Sequence, residues 1–298
     1  RALHGSLPAS RFREKLPEEF WSAAVSRLRR DAPDTLLLAE AFWMLEDYFV
    51  QNLGLHRVYN SAFMHMLRDG ANREFRQQLR DALSSAPEVL GRYVNFLSNP
   101  DEESAAAQFG TGDRYFVACT LLATMPGLPL IGHGQFEGLS EKYGMEFSRA
   151  RLDEQPDEEL LKRHAREIVP LLQRRELFGQ TAGFELYDLR EAAGTTSEDV
   201  IVFSQRHEGE RALVAVNNSG APVSGTVAES VPRLAPGSGP LWTLTLAQAL
   251  DLEAEQGSHV TWTELPGGGT RVLPLAELRA GGLEVKLGPY GRAVLLDF

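Results

Sequence analysis

Apolar residues near the N terminus recur at helical spacing and then collect into a short continuous run. Between residues 17 and 30 the segment opens with a proline and acids and closes on arginines, an order that favours a helix. Its helically spaced apolar residues are Phe20, Trp21, Val25 and Leu28. The run that follows, 32–43, is too short for a second surface helix and predicts a strand covered on both faces.

Three more pairs of an apolar run and a helical segment follow along the chain. Strands are predicted at 56–63, 92–101 and 127–134, and helices at 72–85, 113–125 and 156–177. Alternation of helices with strands that are apolar on both faces predicts an α/β fold with a parallel sheet over residues 1–182.

The pattern changes after this region. From Phe184 onward helical periodicity disappears, and short β-rich runs alternate with turns rich in Gly, Pro and Asn. Residues 183–298 are therefore predicted to form an antiparallel β domain. The four parallel strands before it pose a counting problem, because a closed barrel needs eight strands and four leave two apolar edges. We expect something to complete the sheet.

Composition and charge narrow the class of protein. The chain has 298 residues, 43% of them hydrophobic, and a net charge of −11, which argues against nucleic-acid and anionic-membrane partners. No window approaches the length of a membrane span, and the first residues lack the apolar core of a signal peptide. Cys119 stands alone in an apolar setting and is expected to be a buried, inert thiol. A cytoplasmic protein is the expectation.

Two acidic residues end predicted strands. Glu40 lies in the apolar run "LLLAEAFW", where desolvation would raise its pKa and suit a general acid; the alternative is a structural ion pair with an arginine. Asp101 closes the third strand in "NFLSNPDEESA", where it could also cap a helix. Two acids at the carboxyl ends of barrel strands form the kind of pair that glycoside hydrolysis requires.

Other motifs are weaker. The segment "GHGQFEG" has neither the spacing nor the position of a dinucleotide-binding loop. The seven histidines lack zinc spacing, and His133 is the only one placed at a strand end. We expect no cofactor, although a structural calcium site built from oxygen ligands would leave no signal at this level.

The order of the motifs resembles the α-amylase family, glycoside hydrolase family 13. "LLLAEAFW" is similar to the fifth-strand motif that carries the acid/base, and "NFLSNPDEESA" is similar to the seventh-strand motif with the aspartate that steadies the transition state. "VYNSAF" would be the sixth strand, and "TMPGLPLIGHGQFEG" resembles the eighth. The resemblance implies strands 5–8 of a (β/α)8 TIM barrel, followed by an antiparallel β-sandwich.

This resemblance implies a retaining hydrolase of α-glucans, with Glu40 and Asp101 as catalytic residues. It also implies that the nucleophilic aspartate lies on a missing N-terminal half of the same protein, so the chain alone is expected to be inactive. Candidate sugar-binding residues are Phe42, Trp43, Asn60 and Asn99.

One departure lies inside these motifs. Pro100 stands where the family usually has a sugar-binding histidine, and a proline has no donor to offer. A non-catalytic or degenerate carbohydrate-binding relative and an α-glucan transglycosylase are therefore alternatives. A separate alternative, independent of Pro100, is an unrelated flavodoxin-like α/β domain with a β appendage, which predicts an open sheet.

Overall fold

The computed structural model describes residues 9–41, 45–142, 148–234, 241–252 and 257–298. The chain divides into two compact units, Arg1–Tyr59 and Asn60–Phe298. Each unit is described by itself.

The first unit contains two helices and a pair of parallel strands. In chain order these are α1 (Ala9–Lys15), α2 (Phe20–Asp31), β1 (Leu38–Ala39), a π-helical turn (Tyr48–Asn52) and β2 (Arg57–Asn60), whose last residue is the first of the second unit. The helix predicted at 17–30 is confirmed by α2, which begins after the Glu19 side chain accepts a hydrogen bond from the backbone N–H of Ser22. β1 pairs with β2 in parallel, with Ala39 opposite Val58.

The predicted burial of the first strand on both faces is wrong for this unit. β1 has only two residues, and the side chains of Leu36 and Leu38 are 62% and 40% exposed. A leucine run is enclosed only where layers of chain cover both faces of the strand. The described part of residues 9–59 leaves these leucines at the surface.

The second unit begins with helices that alternate with parallel strands. They are α3 (Ser61–Asp69), α4 (Asn72–Ser85), β3 (Tyr93–Phe96), α5 (Ala105–Phe109), α6 (Asp113–Thr124) and β4 (Leu128–Leu130). β3 pairs with β4 in parallel. The helices predicted at 72–85 and 113–125 are confirmed by α4 and α6. In α4, Phe75, Leu79 and Leu83 recur every four residues and are buried, as an amphipathic helix requires.

The single helix predicted at 156–177 is wrong. The structure divides this segment into α7 (Glu158–Glu167), α8 (Val169–Leu172) and α9 (Arg175–Phe178). Pro170 explains the first break, because it lacks the N–H that would continue the helical hydrogen bonding and its ring crowds the preceding turn.

Antiparallel strands make up the rest of the second unit. A six-stranded sheet has the order β12–β11–β14–β7–β6–β5, and a second sheet pairs β13 with β8. The bounds are β5 (Glu185–Tyr187), β6 (Val200–His207), β7 (Glu210–Asn217), β8 (Val223–Val227), β11 (His259–Leu265), β12 (Gly269–Pro274), β13 (Leu283–Leu287) and β14 (Arg292–Leu296). The short elements between them are β9 (Arg233–Leu234), β10 (Leu241–Trp242), α10 (Leu246–Ala249) and α11 (Leu275–Gly281).

Side chains from both sheets enter one core, which makes this part a sandwich. Val202 and Leu213 of the large sheet share that core with Val285 of β13 and Val227 of β8. The β6–β7 hairpin turns on Glu208 and Gly209, both at positive φ, the geometry that matches the twist of the strands. The boundary at 182/183 stays a prediction.

Two buried arginines join the helical part of the second unit to the antiparallel part. Arg76 of α4, 1% exposed, donates to the carbonyl oxygen of Val200 at 2.5 Å and to the carboxylate of Asp188. Arg292 of β14 forms an ion pair with the buried Glu167 of α7. A buried charge is tolerated only when it is paired and hydrogen-bonded, so these contacts define the junction.

We predict that Arg76→Met lowers the free energy of unfolding by about 2–4 kcal/mol, because Asp188 and the Val200 carbonyl lose a buried partner. Arg73→Met is the matched control, since Arg73 lies exposed on the same helix and should change stability by less than about 0.5 kcal/mol. Urea unfolding of both variants checks this. Equal stabilities would show that the Arg76 contacts do not hold the junction.

Candidate functional site

Glu40 immediately follows β1. It comes one residue after Ala39, the last residue of β1 in register with β2, and its side chain is exposed. The carboxyl end of a parallel strand is where barrels and open sheets place their chemistry. Phe42 and Trp43, the predicted sugar platforms, lie outside the described residues.

Asp101 lies in the loop after β3, and its backbone is held from two sides. The side-chain oxygen of Asn99 accepts from the backbone N–H groups of Asp101 at 3.0 Å and Glu102 at 2.9 Å, and the ammonium of Lys142 donates to the Asp101 carbonyl at 2.6 Å. The Asp101 side chain is exposed, and no hydrogen bond to its carboxylate occurs among the described residues.

Ser104, and not Asp101, caps the helix that follows this loop. α5 begins at Ala105, and the Ser104 hydroxyl accepts from the N–H of Ala107 at 3.1 Å. The Asp101 carboxylate is thus not used to start this helix. Asp101 and Glu40 lie in different compact units, and their action as a pair stays a prediction.

The two predicted asparagines have structural contacts. Asn60 is buried; its oxygen accepts from the N–H of Phe63 to cap α3, and its amide donates to the Asn95 side chain at 2.9 Å. Asn99 forms the turn that carries Asp101. Sugar binding by either asparagine stays a prediction.

The loops after β3 and β4 touch each other through a glycine. A Cβ atom placed on Gly132 would lie 2.2 Å from the Ser98 hydroxyl and 3.1 Å from the Ser98 carbonyl oxygen. A larger residue at position 132 would force the Ser98 side chain to move. Residues 132–137 are here called the rim segment, and its first residue, Gly132, therefore lies directly against Ser98 in the loop that leads to Asp101.

A buried polar cluster supports the rim segment from the helices. The Tyr115 hydroxyl of α6 donates to the Gln135 carbonyl at 2.9 Å and lies 2.9 Å from His164 Nε2 of α7. Phe136 stacks on the His164 ring, with centroids 4.3 Å apart. Burial, with a further contribution from Arg163, lowers the pKa of His164 to about 4.

Cys119 belongs to the same region. Its side chain is 1% exposed, and burial raises the pKa of its thiol to about 12, which confirms the buried, inert thiol expected from the sequence.

The sequence analysis did not identify Tyr115 and His164 as members of this cluster. Their only signal in the sequence is that each is a polar residue within a predicted helix.

A second pair that was missed lies beside Asp101. His65 Nε2 of α3 is 3.5 Å from the carboxylate of Glu102, and both side chains are partly exposed. This pair adds titratable groups to the loop after β3. Nowhere in the described ranges do three or more His, Cys, Asp or Glu side chains converge as metal ligands would.

Comparison with known proteins identifies the fold. No protein-family model matches the chain, and no curated protein sequence matches it. Solved structures do match. A debranching enzyme of Nostoc punctiforme, soaked with acarbose, aligns with 95% of this chain at a TM-score of 0.63 and 15% identity.

Two further neighbours are α-amylases. The enzyme of Geobacillus thermoleovorans, complexed with acarbose, aligns with 93% of this chain at a TM-score of 0.59 and 14% identity. A maltogenic α-amylase of Thermotoga neapolitana aligns with 99% at a TM-score of 0.58 and 16% identity. The chain spans only 55%, 56% and 59% of these three neighbours.

The chain has the fold of the C-terminal part of an α-amylase. These matches confirm the fold that the motifs implied. The chain contains the second half of a (β/α)8 barrel followed by an antiparallel β-sandwich. Across the described ranges, no helix is long and apolar enough to cross a membrane.

We predict that Gly132→Ala lowers the free energy of unfolding by about 1–3 kcal/mol, because its methyl group would overlap the Ser98 hydroxyl. Adding Ser98→Ala should recover part of this loss, since it removes the atom at 2.2 Å. Gly269→Ala is the control, because its Cβ meets nothing within 4 Å. Chemical denaturation of the three variants and the original chain checks this, and identical losses for Gly132→Ala and Gly269→Ala would contradict it.

Proposed function

We propose that this chain is the acid/base-bearing half of an α-amylase-like glycoside hydrolase that acts on α-glucans such as starch, glycogen and maltooligosaccharides. The observation that carries the proposal is the alignment of over 90% of the chain with amylases and a debranching enzyme. Two of these neighbours were solved with acarbose, which supports an oligosaccharide substrate. Glu40 and Asp101 follow β1 and β3, as the motifs require.

The proposed mechanism retains the configuration at the sugar carbon. Glu40 protonates the leaving oxygen, an aspartate on the preceding half of the protein forms the glycosyl intermediate, and Glu40 then activates water. Asp101 steadies the positive charge and the distorted ring. A retaining pair stands about 5–5.5 Å apart, so the mechanism depends on the segment that brings the nucleophile to Glu40.

The second candidate is a carbohydrate-binding relative that does not catalyse. Pro100 favours it, because the residue before Asp101 has no side-chain donor for a sugar hydroxyl. An α-glucan transglycosylase is a third possibility, and it differs only in using a sugar instead of water as the acceptor. Acarbose binding with no turnover would favour the binding protein.

We predict that Glu40→Gln in the complete protein lowers kcat on maltooligosaccharides by about 10²–10⁴-fold, the usual contribution of a general acid/base. Cleavage of a nitrophenyl maltooligoside should lose less in the glycosylation step, because its leaving group needs no proton. Single-turnover kinetics with both substrates measure this difference.

Glu46→Gln is the control for that experiment, because Glu46 is a nearby acid outside the motif. It should leave both rates unchanged. Equal losses on the two substrates, or none, would remove Glu40 from the acid/base role.

We predict that residues 1–298 alone bind acarbose weakly or not at all and release no reducing sugar from starch, because the nucleophile comes from elsewhere. Addition of the separately expressed preceding segment should restore hydrolysis. Starch cleavage by the purified chain alone would overturn the proposed division of catalytic residues.

A further inference from the structure

His164 is a buried histidine that the proposed mechanism does not use. Its side chain is 0% exposed and lies between the rings of Phe116, at a centroid distance of 5.0 Å, and Phe136, at 4.3 Å. Phe136 belongs to the rim segment. The histidine ring therefore forms part of the surface on which the rim segment rests.

Hydrogen bonding around the ring assigns its tautomer. A tyrosine hydroxyl has one proton, and Tyr115 donates it to the Gln135 carbonyl. The Tyr115 oxygen must then accept from Nε2–H of His164, which leaves Nδ1 with a lone pair. Nδ1 is buried and has no hydrogen-bond partner within the described part of the chain.

Protonation of Nδ1 would be unfavourable in this arrangement. The new N–H would have no acceptor, and the new charge would be repelled by the guanidinium group of Arg163, which lies 3.9 Å from the centroid of the neighbouring Phe116 ring. Glu167 opposes this effect only in part. The titratable and charged groups that act on the ring directly are Tyr115 of α6 and Arg163 and Glu167 of α7. Each of these has charged or titratable neighbours of its own: Cys119 and Glu137 for Tyr115, Asp113 for Arg163, and Arg292 of β14 for Glu167.

We propose that His164 is a proton-sensitive positioning residue that holds the rim segment in place through Tyr115 and Phe136, and that acidification releases this segment. Release lets solvent reach Nδ1 and hydrate the charged ring. Because Gly132 packs against Ser98, release also frees the loop that leads to Asp101.

Hydrogen exchange of the rim segment in the chain as it stands tests this. Three backbone N–H groups report on it: Gly132, bonded to the Gln135 side chain; Gln135, bonded to the Gly132 carbonyl; and Leu139, bonded to the Gly134 carbonyl. A pKa of about 4 in the closed state and about 6.5 in the open state predicts a fall in protection of about 30-fold between pH 7.5 and 5.0. The sheet amides of 200–217 should stay protected throughout.

His164→Gln separates proton uptake from packing. Glutamine keeps an N–H donor for Tyr115 and does not titrate, so protection at pH 7.5 should persist and its pH dependence should fall below about threefold. Tyr115→Phe removes the bridge and should lower protection of the rim segment already at pH 7.5. His259→Gln, at an exposed histidine of β11, should behave like the original chain.

Three results would overturn the proposal. The first is a change in protection of the original chain below about threefold between the two pH values. The second is the same acid response in His164→Gln as in the original chain. The third is simultaneous loss of protection in residues 200–217, which would mean global unfolding. None of these measurements uses a substrate, so their outcome neither supports nor contradicts the glycosidase proposal.

Discussion

Burial of paired charges at the junction of the second unit fixes where its helices lie. Arg76 must meet Asp188 and the Val200 carbonyl, and Arg292 must meet Glu167, because an unpaired guanidinium in the interior would cost several kcal/mol. These contacts set α4 and α7 against the antiparallel sheet in one position. Apolar packing alone tolerates small shifts, whereas a buried ion pair does not. Since α7 carries the histidine beneath the rim segment, the β-sandwich indirectly positions a loop at the carboxyl end of β4.

The sequence predicted helices and strands well where residues close together in the chain determine them. The helix at 72–85 follows from apolar residues at every fourth position, and the strands after Phe184 follow from turn residues between short β-rich runs. The division of 156–177 was missed because its helical periodicity hid the effect of Pro170. The burial of Arg76 was also missed. From the sequence Arg76 is one of several cations of its helix that could be solvated, and its partner Asp188 lies 112 residues further along the chain.

The candidate site likewise contains some residues that the sequence could predict and others that only the structure brings together. Glu40 and Asp101 could be found from the sequence because strand ends and acidic residues both leave a local signal. Whether the Asp101 carboxylate caps a helix could be decided only from the structure. Several residue types near the start of α5 are good helix caps, and it is the Ser104 hydroxyl that accepts the hydrogen bond from the N–H of Ala107. Tyr115 and His164 could not be predicted, because 49 residues separate them and only the packing of α6 on α7 brings them together.

The exposure of Glu40 differs from the water-poor setting that a general acid needs in the proposed enzyme. A general acid that works near neutral pH needs a carboxyl group whose pKa is raised by an apolar, water-poor setting, and in this chain Glu40 is exposed and preceded by the exposed Leu36 and Leu38. In the proposed enzyme the preceding segment would therefore have two roles. It would bring the nucleophile, and by covering the leucines around β1 it would also desolvate the acid. Under that proposal, a catalytic pair divided between two halves of a barrel would become active only when the halves are joined.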